Sequence, residues 1–336
     1  MRCALKETIC FRQVPCCLLL AALFLLATAP KPALAQDELI VLKDSVEVGT
    51  DIRGANTARG ASTGWLPSVK FTVRGKSIPS GGQFWVNFGY AAKRQWLKFD
   101  CKDPDDVFNT EDQWSLFCSP GRIEGTRYLG LVDFQIHIRN PLTETDMVLF
   151  KGKFKVAKDP VYPEDYYVDE DWRFPIGYVL FDRGNLAARY WLRGDVPKIQ
   201  AHLFYQGKEI ATASSSGFDA GEWSGEPYKW GYTQIQFSGV YFDKNPGYMG
   251  PEFLLQQNPG EYEVKILRAR QLARSFKFTV LPDGTIDNSI ATANKVGSDL
   301  VLVPVRVIGT LEKYNKLAWK TEAFYGNPLT GFTAPP

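Results

Sequence analysis

The stretch SVKFTVRG at 68–75 shows the pattern that decides the fold class. Its apolar side chains fall on every second residue, at Val69, Phe71 and Val73, and polar residues separate them. Successive side chains of a β-strand point to opposite faces, so this alternation predicts a strand with one buried face and one face in water. Two further stretches with the same period are LVDFQIHIRN (131–140) and EYEVKILRA (261–269).

Short alternating stretches, separated by Gly, Pro and Asp turns, continue along most of the chain, and convincing amphipathic helices are absent. This pattern is typical of antiparallel sheets packed face to face. A length of 336 residues suits about two domains of roughly 100 to 150 residues each. We therefore predict an all-β protein with a first β-sandwich domain at 36–158, an acidic linker at 159–171 and a second β-sandwich domain at 172–282.

The C-terminal part, 283–336, begins with a polar, turn-rich linker and regains the strand pattern in LVLVPVRVIG at 300–309. Pro304 predicts an edge position for this strand, because proline has no N–H to donate to a neighbouring strand. We expect an extended strand-like tail that either folds back onto its own chain or pairs with the sheet of a neighbouring molecule.

Two segments of the second module carry a family resemblance. AHLFYQGKEI at 201–210 resembles the middle hairpin of immunoglobulin-like domains, and NPGEYEVKI at 258–266 is similar to their tyrosine corner. In that corner a core cysteine follows the tyrosine by two residues, whereas here Val264 follows Tyr262, so the inter-sheet cysteine pair of antibody domains is missing. The resemblance covers 172–282 and reaches the first module only by analogy. It implies tandem immunoglobulin-like sandwiches and says nothing about a ligand.

Residues 1–35 have the features of an export signal. A positively charged start precedes a 12-residue apolar run at Leu18–Ala29 and a small-residue cleavage site at 33–35. The alternative is a membrane anchor, but spanning a bilayer needs about 20 apolar residues. We expect a mature protein that begins at Gln36 and resides in the periplasm, at the cell surface or outside the cell, with no transmembrane segment.

The charge balance excludes one class of partner. Cleavage at Gln36 would remove four of the 39 basic and one of the 37 acidic residues, which leaves a net charge near −1. Proteins that bind DNA or RNA draw their affinity from clustered Lys and Arg, and no basic run of five or more occurs. We therefore expect no nucleic-acid partner.

Only two of the six cysteines, Cys101 and Cys118, lie outside the export signal. In an oxidising compartment, a disulfide that closes their loop of 16 intervening residues would stabilise the fold by roughly 3 kcal/mol. The alternatives are two free core thiols or half of a zinc site. We predict the disulfide.

The loop between these cysteines contains the acidic segment DPDDVFNTEDQ at 103–113. Calcium binds several oxygen ligands, so a calcium site is one interpretation. The oxygen ligands would come from Asp103, Asp105, Asp106, Asn109, Glu111 and Asp112. The spacing differs from that of an EF-hand, because Val107 occupies the third ligand position and no glycine follows it. We prefer a solvated acidic turn.

The segment DAGEWSGEPYKWGY at 219–232 is the richest candidate binding site. Flat aromatic rings stack on sugar faces, although the same rings also seal the rims of sandwiches. The four aromatic candidates are Trp223, Tyr228, Trp230 and Tyr232. Glu222 and Glu226 would serve as the acid and base of a glycosidase only if they lay about 5 to 9 Å apart.

Other catalytic signals are weak. His137 and His202, the only two histidines, fall on the polar faces of predicted strands, so we expect both to be exposed. The sequence contains no paired-histidine metalloprotease motif, no nucleophile elbow and no dinucleotide-binding glycine motif. We predict no catalytic residues, no metal site and no cofactor.

Together these observations predict an exported, non-catalytic protein that binds or scaffolds other proteins at the bacterial envelope. The alternative is a carbohydrate-binding protein that uses the aromatic residues of 223–232. A hydrolase, which would rest on Glu222 and Glu226 alone, is a third hypothesis.

Overall fold

Antiparallel strands make up nearly all the regular structure of the chain, as the alternation predicts. A computed structural model describes residues 39–52, 64–75, 82–102, 112–120, 125–140, 143–194, 199–215, 228–244, 247, 250–297, 299–308, 315, 317–322 and 329–331. These residues contain 18 β-strands and two short α-helices, Ser289–Ala293 and Ala318–Glu322. The prediction of an all-β fold class is confirmed.

Two sheets form the N-terminal part, and we call them the N-terminal sheet pair. The first sheet has four strands: β1 (Ile40–Val41), β2 (Glu47–Ile52), β3 (Trp65–Arg74) and β6 (Gln113–Cys118). The second sheet has five strands: β4 (Gln83–Tyr90), β5 (Lys93–Asp100), β7 (Gly130–Asn140), β8 (Thr145–Lys158) and β9 (Tyr166–Asp169). In the first sheet β3 pairs with β1, β2 and β6, and in the second the spatial order is β5-β4-β7-β8-β9.

The inner faces of these two sheets share one hydrophobic core. Phe71 of β3 lies 6.4 Å from Phe84 of β4 between ring centroids, and Trp65 lies 6.1 Å from Phe154 of β8. A disulfide joins Cys101, directly after β5, to Cys118 at the end of β6. The structure therefore contains the disulfide that the cysteine count predicts, and it connects the two sheets.

Strand β9 lies inside the segment that we predicted as an acidic linker, 159–171. It pairs with the end of β8, and Lys155 forms an ion pair with Asp169 at 2.7 Å. Main-chain pairing, this ion pair and the packing of Tyr166 and Val168 against the core hold β9 in the sheet. Its sequence, YYVD, covers only four residues, too few to show a period of two. The period-two pattern therefore gave no signal for it.

The remaining strands form one nine-stranded sheet, which we call the C-terminal sheet. Its strands are β10 (Ile176–Asp182), β11 (Asn185–Arg193), β12 (Ile199–Tyr205), β13 (Lys208–Ser215), β14 (Trp230–Tyr241), β15 (Phe253–Leu254), β16 (Gly260–Arg268), β17 (Gln271–Val280) and β18 (Leu300–Val307). The spatial order is β13-β12-β16-β17-β18-β10-β11-β14-β15. Side chains from both halves of this sheet enclose a second core. The Tyr262 hydroxyl donates a hydrogen bond to the Asn258 carbonyl at 2.6 Å.

Strand β18 connects the two halves of the C-terminal sheet. Leu300–Pro304 pairs with β10, and Val305–Val307 pairs with β17. Pro304 has a paired neighbour on one side only, Ile176 of β10, which agrees with the edge position that we predicted for it. Pro304 is the last residue paired with β10, and the next N–H, that of Val305, bonds to the Pro175 carbonyl at 2.7 Å. A proline is tolerated here because the strand changes partner at this point, and the strand-like segment pairs within its own chain.

Strand β10 is buried on both faces. Val179 belongs to the core of the C-terminal sheet, whereas Tyr178 and Leu180 belong to the same cluster as the N-terminal sheet pair. Ile176 through Leu180 are all buried for this reason, without alternation. The contact between the two parts of the molecule is therefore continuous and apolar, and it positions the site described next.

Candidate functional site

A cleft of about 330 Å³ lies where the N-terminal sheet pair meets the C-terminal sheet. We call it the junction cleft. Its walls come from the 3₁₀ turn Lys43–Ser45 and β2, from the turn after β9, and from β10, β11 and β14. The residues that line it are Lys43, Asp44, Val46, Glu47, Val48, Glu170, Trp172, Arg173, Tyr178, Arg189, Trp191, Trp230, Gly231, Tyr232 and Leu300. Binding sites commonly occupy such junctions, because two bodies there form a concave surface.

Arg189 and Tyr232 form one side of the cleft. The two residues lie on the neighbouring strands β11 and β14, and the Arg189 guanidinium lies 5.4 Å from the centroid of the Tyr232 ring. Arg189 also donates two hydrogen bonds to Gln234 Oε1, at 2.9 and 3.3 Å. Tyr232 is 40% exposed, whereas the other aromatic residues of the cleft are buried. This side therefore presents a cation and one accessible ring.

Lys43 and Asp44 contribute two more charged groups. Burial raises the pKa of the Asp44 carboxyl, although the Gly297 N–H, which donates to Oδ1 at 2.8 Å, and the charge of Arg189 oppose the rise. Burial, together with the nearby ammonium of Lys295, lowers the pKa of Lys43. Both groups are thus held partly out of water, where their charges interact strongly with a ligand.

In the turn after β9, Arg173 and Glu170 form an ion pair with each other. Arg173 Nη2 lies 2.5 Å from Glu170 Oε1, and the Arg173 guanidinium lies 4.6 Å from the Trp172 ring and 5.2 Å from the Trp191 ring. Because the two charges compensate each other, the pair adds no net charge to the cleft.

A second cavity, of about 300 Å³, adjoins the junction cleft, and both are lined by Val48, Glu170 and Trp230. It lies between β2 and β9, which contact each other through a hydrogen bond from the Thr50 hydroxyl to the Tyr166 carbonyl at 3.1 Å. The two cavities form a groove along the junction.

Two of the four predicted aromatic site residues hold the junction together. Tyr228 and Trp230 are each 8% exposed. The Tyr228 hydroxyl donates a hydrogen bond to Asp159, and the Trp230 indole N–H donates one to Asp171 Oδ1 at 3.0 Å. The acidic segment 159–171 and the aromatic segment that we identified separately in the sequence therefore contact each other.

The Asp159 and Asp171 carboxylates accept further hydrogen bonds. Asp159 accepts from the main-chain N–H groups of Val161 and Tyr162, and Asp171 pairs with Arg193 at 3.2 Å and accepts from the Asn315 N–H at 2.8 Å. Burial alone would raise the pKa of Asp159, but its hydrogen bonds from Tyr228 and from the two N–H groups hold that pKa below its usual value. We call Asp159, Asp171, Tyr228 and Trp230 the junction clasp.

Several predicted residues lie outside the described ranges. These are Trp223 among the aromatic candidates, Glu222 and Glu226 of the glycosidase hypothesis, and Asp103, Asp105, Asp106, Asn109 and Glu111 of the calcium hypothesis. Within the ranges that the structure describes, His, Cys, Asp and Glu side chains form no group of three or more that could hold a metal ion. Nor is any helix in those ranges long and apolar enough to cross a bilayer.

The two histidines differ in how deeply they are buried. The prediction that His137 is exposed was wrong, because its ring stacks on Trp85 of the adjacent strand at 3.7 Å and is 7% exposed. This burial lowers the pKa of His137, and the ammonium groups of Lys98 and Lys151 act in the same direction, against Asp146. His202 lies at the surface, and its Nδ1 is 3.1 Å from Glu209 Oε2. Neither histidine lines the junction cleft.

Sequence reasoning missed the charged residues of the cleft. Lys43 and Arg189 are far apart in the chain, and no local motif marks either one. One usable signal was the apolar run GYVLF at 177–181, because a strand without alternation indicates burial on both faces. From that run we could have predicted that another part of the protein packs on the second face of β10, and hence that a junction lies there.

Comparisons with known proteins give no family for the chain. No protein-family model matches the sequence, and no relative was found among the curated proteins. One solved structure, titled "Biofilm associated protein - BSP domain", is similar with 6% sequence identity and a TM-score of 0.16, over 80% of this chain and 59% of that one. The chain thus spans about three fifths of that structure's length, and these values assign it to no family.

Proposed function

We propose that this chain is an exported, non-catalytic protein that binds or scaffolds other proteins at the bacterial envelope. The junction cleft carries the proposal. Its walls combine Trp, Tyr and Arg side chains, the three residue types that contribute most to binding energy at protein interfaces. A cleft of about 330 Å³ is large enough for one or two anchoring side chains of a partner.

The proposed fold is a pair of tandem immunoglobulin-like sandwiches. The Tyr262 hydrogen bond to the Asn258 carbonyl supports this for the second module, because the tyrosine corner of such domains bonds to the main chain a few residues upstream. Domains of this kind recur in proteins that work by binding. The fold alone does not determine the partner.

Export is supported by two independent features. Residues 1–35 have the three parts of a secretion signal, and the Cys101–Cys118 disulfide suits an oxidising compartment. Both are expected of a protein that works in the periplasm, at the cell surface or outside the cell.

The test is capture of a partner from envelope extracts by residues 36–336. We expect a defined envelope protein to bind the unaltered protein and to be lost from Tyr232→Ala, because Tyr232 is the exposed ring of the cleft. The matched control is Phe117→Ala, since Phe117 is another exposed aromatic side chain, 43% exposed, on β6. Capture of the same protein by all three forms would show that it does not bind at Tyr232, and capture of no defined protein would refute the proposal.

A carbohydrate ligand is the second candidate, and the exposed ring of Tyr232 beside Arg189 favours it. Sugars stack on accessible aromatic rings and hydrogen-bond to neighbouring polar groups. In this case a glycan array should give a signal that Tyr232→Ala removes and Phe117→Ala keeps. An array without any signal would dismiss this candidate.

A further inference from the structure

The junction cleft is lined by three cations and three carboxylates, and two further lysines adjoin it: Lys70, which lies 3.9 Å from Glu47, and Lys295, whose charge acts on Lys43. The Arg189 charge acts on the Asp44 carboxyl, whereas the hydrogen bonds of Arg189 go to the neutral amide of Gln234. The carboxylates at the rim have partners of their own, since Glu170 pairs with Arg173 and Glu47 lies 3.9 Å from Lys70.

Asp44 is the third carboxylate of the cleft, and the charges of Arg189 and Arg74 both act on it. It already accepts a hydrogen bond from the Gly297 N–H, and the ammonium of Lys295 lies close enough to act on Lys43. The cleft therefore carries a local excess of positive charge, although the mature chain as a whole is close to neutral. A ligand that complements it carries a negative charge.

We propose that the junction cleft binds the acidic side chain of an extended segment in a partner protein, with Arg189 as the cation that recognises it. This inference rests on the proposed function and adds the chemistry of the partner. The planar guanidinium of Arg matches the two oxygens of a carboxylate, and the hydrogen bonds that Arg189 donates to Gln234 Oε1 fix its orientation. Tyr232 supplies the apolar contact beside it.

The aromatic residues favour a protein segment over an acidic polysaccharide. A sugar chain needs open ring faces on which to stack, and Tyr232 is the one exposed ring among five in the cleft. Trp172, Trp191 and Trp230 are buried at its walls, which suits a pocket for a side chain better than a platform for a sugar chain.

The experiment selects phage-displayed random dodecapeptides on immobilised protein that comprises residues 36–336. We expect the unaltered protein to enrich peptides that contain Asp or Glu, and Arg189→Gln to lose that enrichment. The matched control is Arg306→Gln, an exposed arginine on β18 outside the cleft, which should select the same acidic peptides as the unaltered protein. A synthetic copy of the best peptide should bind Arg189→Gln about tenfold more weakly or worse, and replacing its acidic residue with the amide should weaken binding similarly.

Each result decides a different question. Enriched peptides without acidic residues, or acidic peptides that Arg189→Gln also selects, would overturn this inference and leave the proposed protein binding intact. No enriched peptide at all would count against both. Tetragalacturonate serves as the polysaccharide probe, and quenching of tryptophan fluorescence that depends on Arg189 would overturn the inference in favour of an acidic glycan. Thermal unfolding of Arg189→Gln, together with Arg189→Lys, which keeps the charge, separates loss of binding from loss of fold.

Discussion

The indole nitrogen of Trp230 lies 3.0 Å from Oδ1 of Asp171, so that β14 is hydrogen-bonded to the turn that follows β9. The same carboxylate pairs with Arg193 and accepts the Asn315 N–H. Asp171 is 7% exposed, and its partners come from three segments of the chain. One buried side chain thus connects segments of the junction that no local sequence motif relates.

We expect Asp171→Ala to lower the free energy of unfolding by about 2 to 4 kcal/mol, because it leaves buried donors without their acceptor. Urea unfolding followed by tryptophan fluorescence measures this. The control is Glu164→Ala, an exposed carboxylate of the same acidic segment, which should change stability by less than about 0.5 kcal/mol. Equal effects of the two substitutions would show that Asp171 does not hold the junction.

Tyr228→Phe should destabilise the protein by about 1 to 2 kcal/mol at neutral pH, because Asp159 loses a hydrogen-bond donor. The pKa of Asp159 is lowered in the folded protein, so its hydrogen bonds stabilise the fold above the unfolded-state value of about 4 and stop doing so as pH falls through the folded value. The difference between the two proteins should therefore shrink at acid pH. Tyr162→Phe, at a 57% exposed tyrosine, is the control and should show no such difference.

His137→Gln tests the effect of the buried imidazole on acid stability. The pKa of His137 is lowered, so below about pH 6.5 the unfolded chain takes up a proton more readily than the folded protein, and stability falls as pH falls. We expect the unaltered protein to lose stability between about pH 6.5 and 5 more steeply than His137→Gln. Above about pH 8 the difference between the two should be constant. Parallel curves through the acid range would contradict this.

Val305→Asp should abolish the fold of the C-terminal sheet, because Val305 is fully buried where β18 changes partner. A buried unpaired charge costs more than about 4 kcal/mol. The neighbouring Arg306→Asp is the control, since Arg306 is exposed and should tolerate the change. Val305→Ala should lower the midpoint of thermal unfolding measurably without preventing folding. A folded, soluble Val305→Asp protein would mean that β18 does not close the C-terminal sheet.

The sequence allows the all-β class and many of the strands to be predicted, because burial on one face imposes a period of two. Residues 68–75 illustrate this, since the predicted alternation corresponds to β3 with Val69, Phe71 and Val73 buried. Where burial is two-sided, as at Tyr178 and Val179, the alternation disappears and only an apolar run remains. Where a strand is as short as β9, with only Tyr166 and Val168 packed against the core, the pattern gives no signal.

The candidate site was harder to predict from the sequence than the fold class, because long-range packing determines what each side chain contacts. Tyr228, Trp230 and Tyr232 lie within five residues of each other, yet the first two hold the junction and the third faces the cleft. Arg189 gave no signal, because its place in the cleft depends on Asp44 and Gln234, which are distant from it in sequence. Pairing between distant segments cannot be obtained from the composition of either segment.

The position of β18 has a consequence for how the chain reaches its native state. Leu180 pairs with Leu300 and Ile176 with Pro304, so this contact joins residues roughly 120 positions apart. Until that last strand arrives, β10 and β17 each lack a neighbour on one side, and their exposed edges can pair with other molecules. Contacts between residues so distant in sequence slow folding, because a large loop must close before they form. A protein that crosses a membrane unfolded and in sequence order would need protection from aggregation until β18 has paired. A chain that terminates before residue 300 would leave the edges of β10 and β17 permanently exposed.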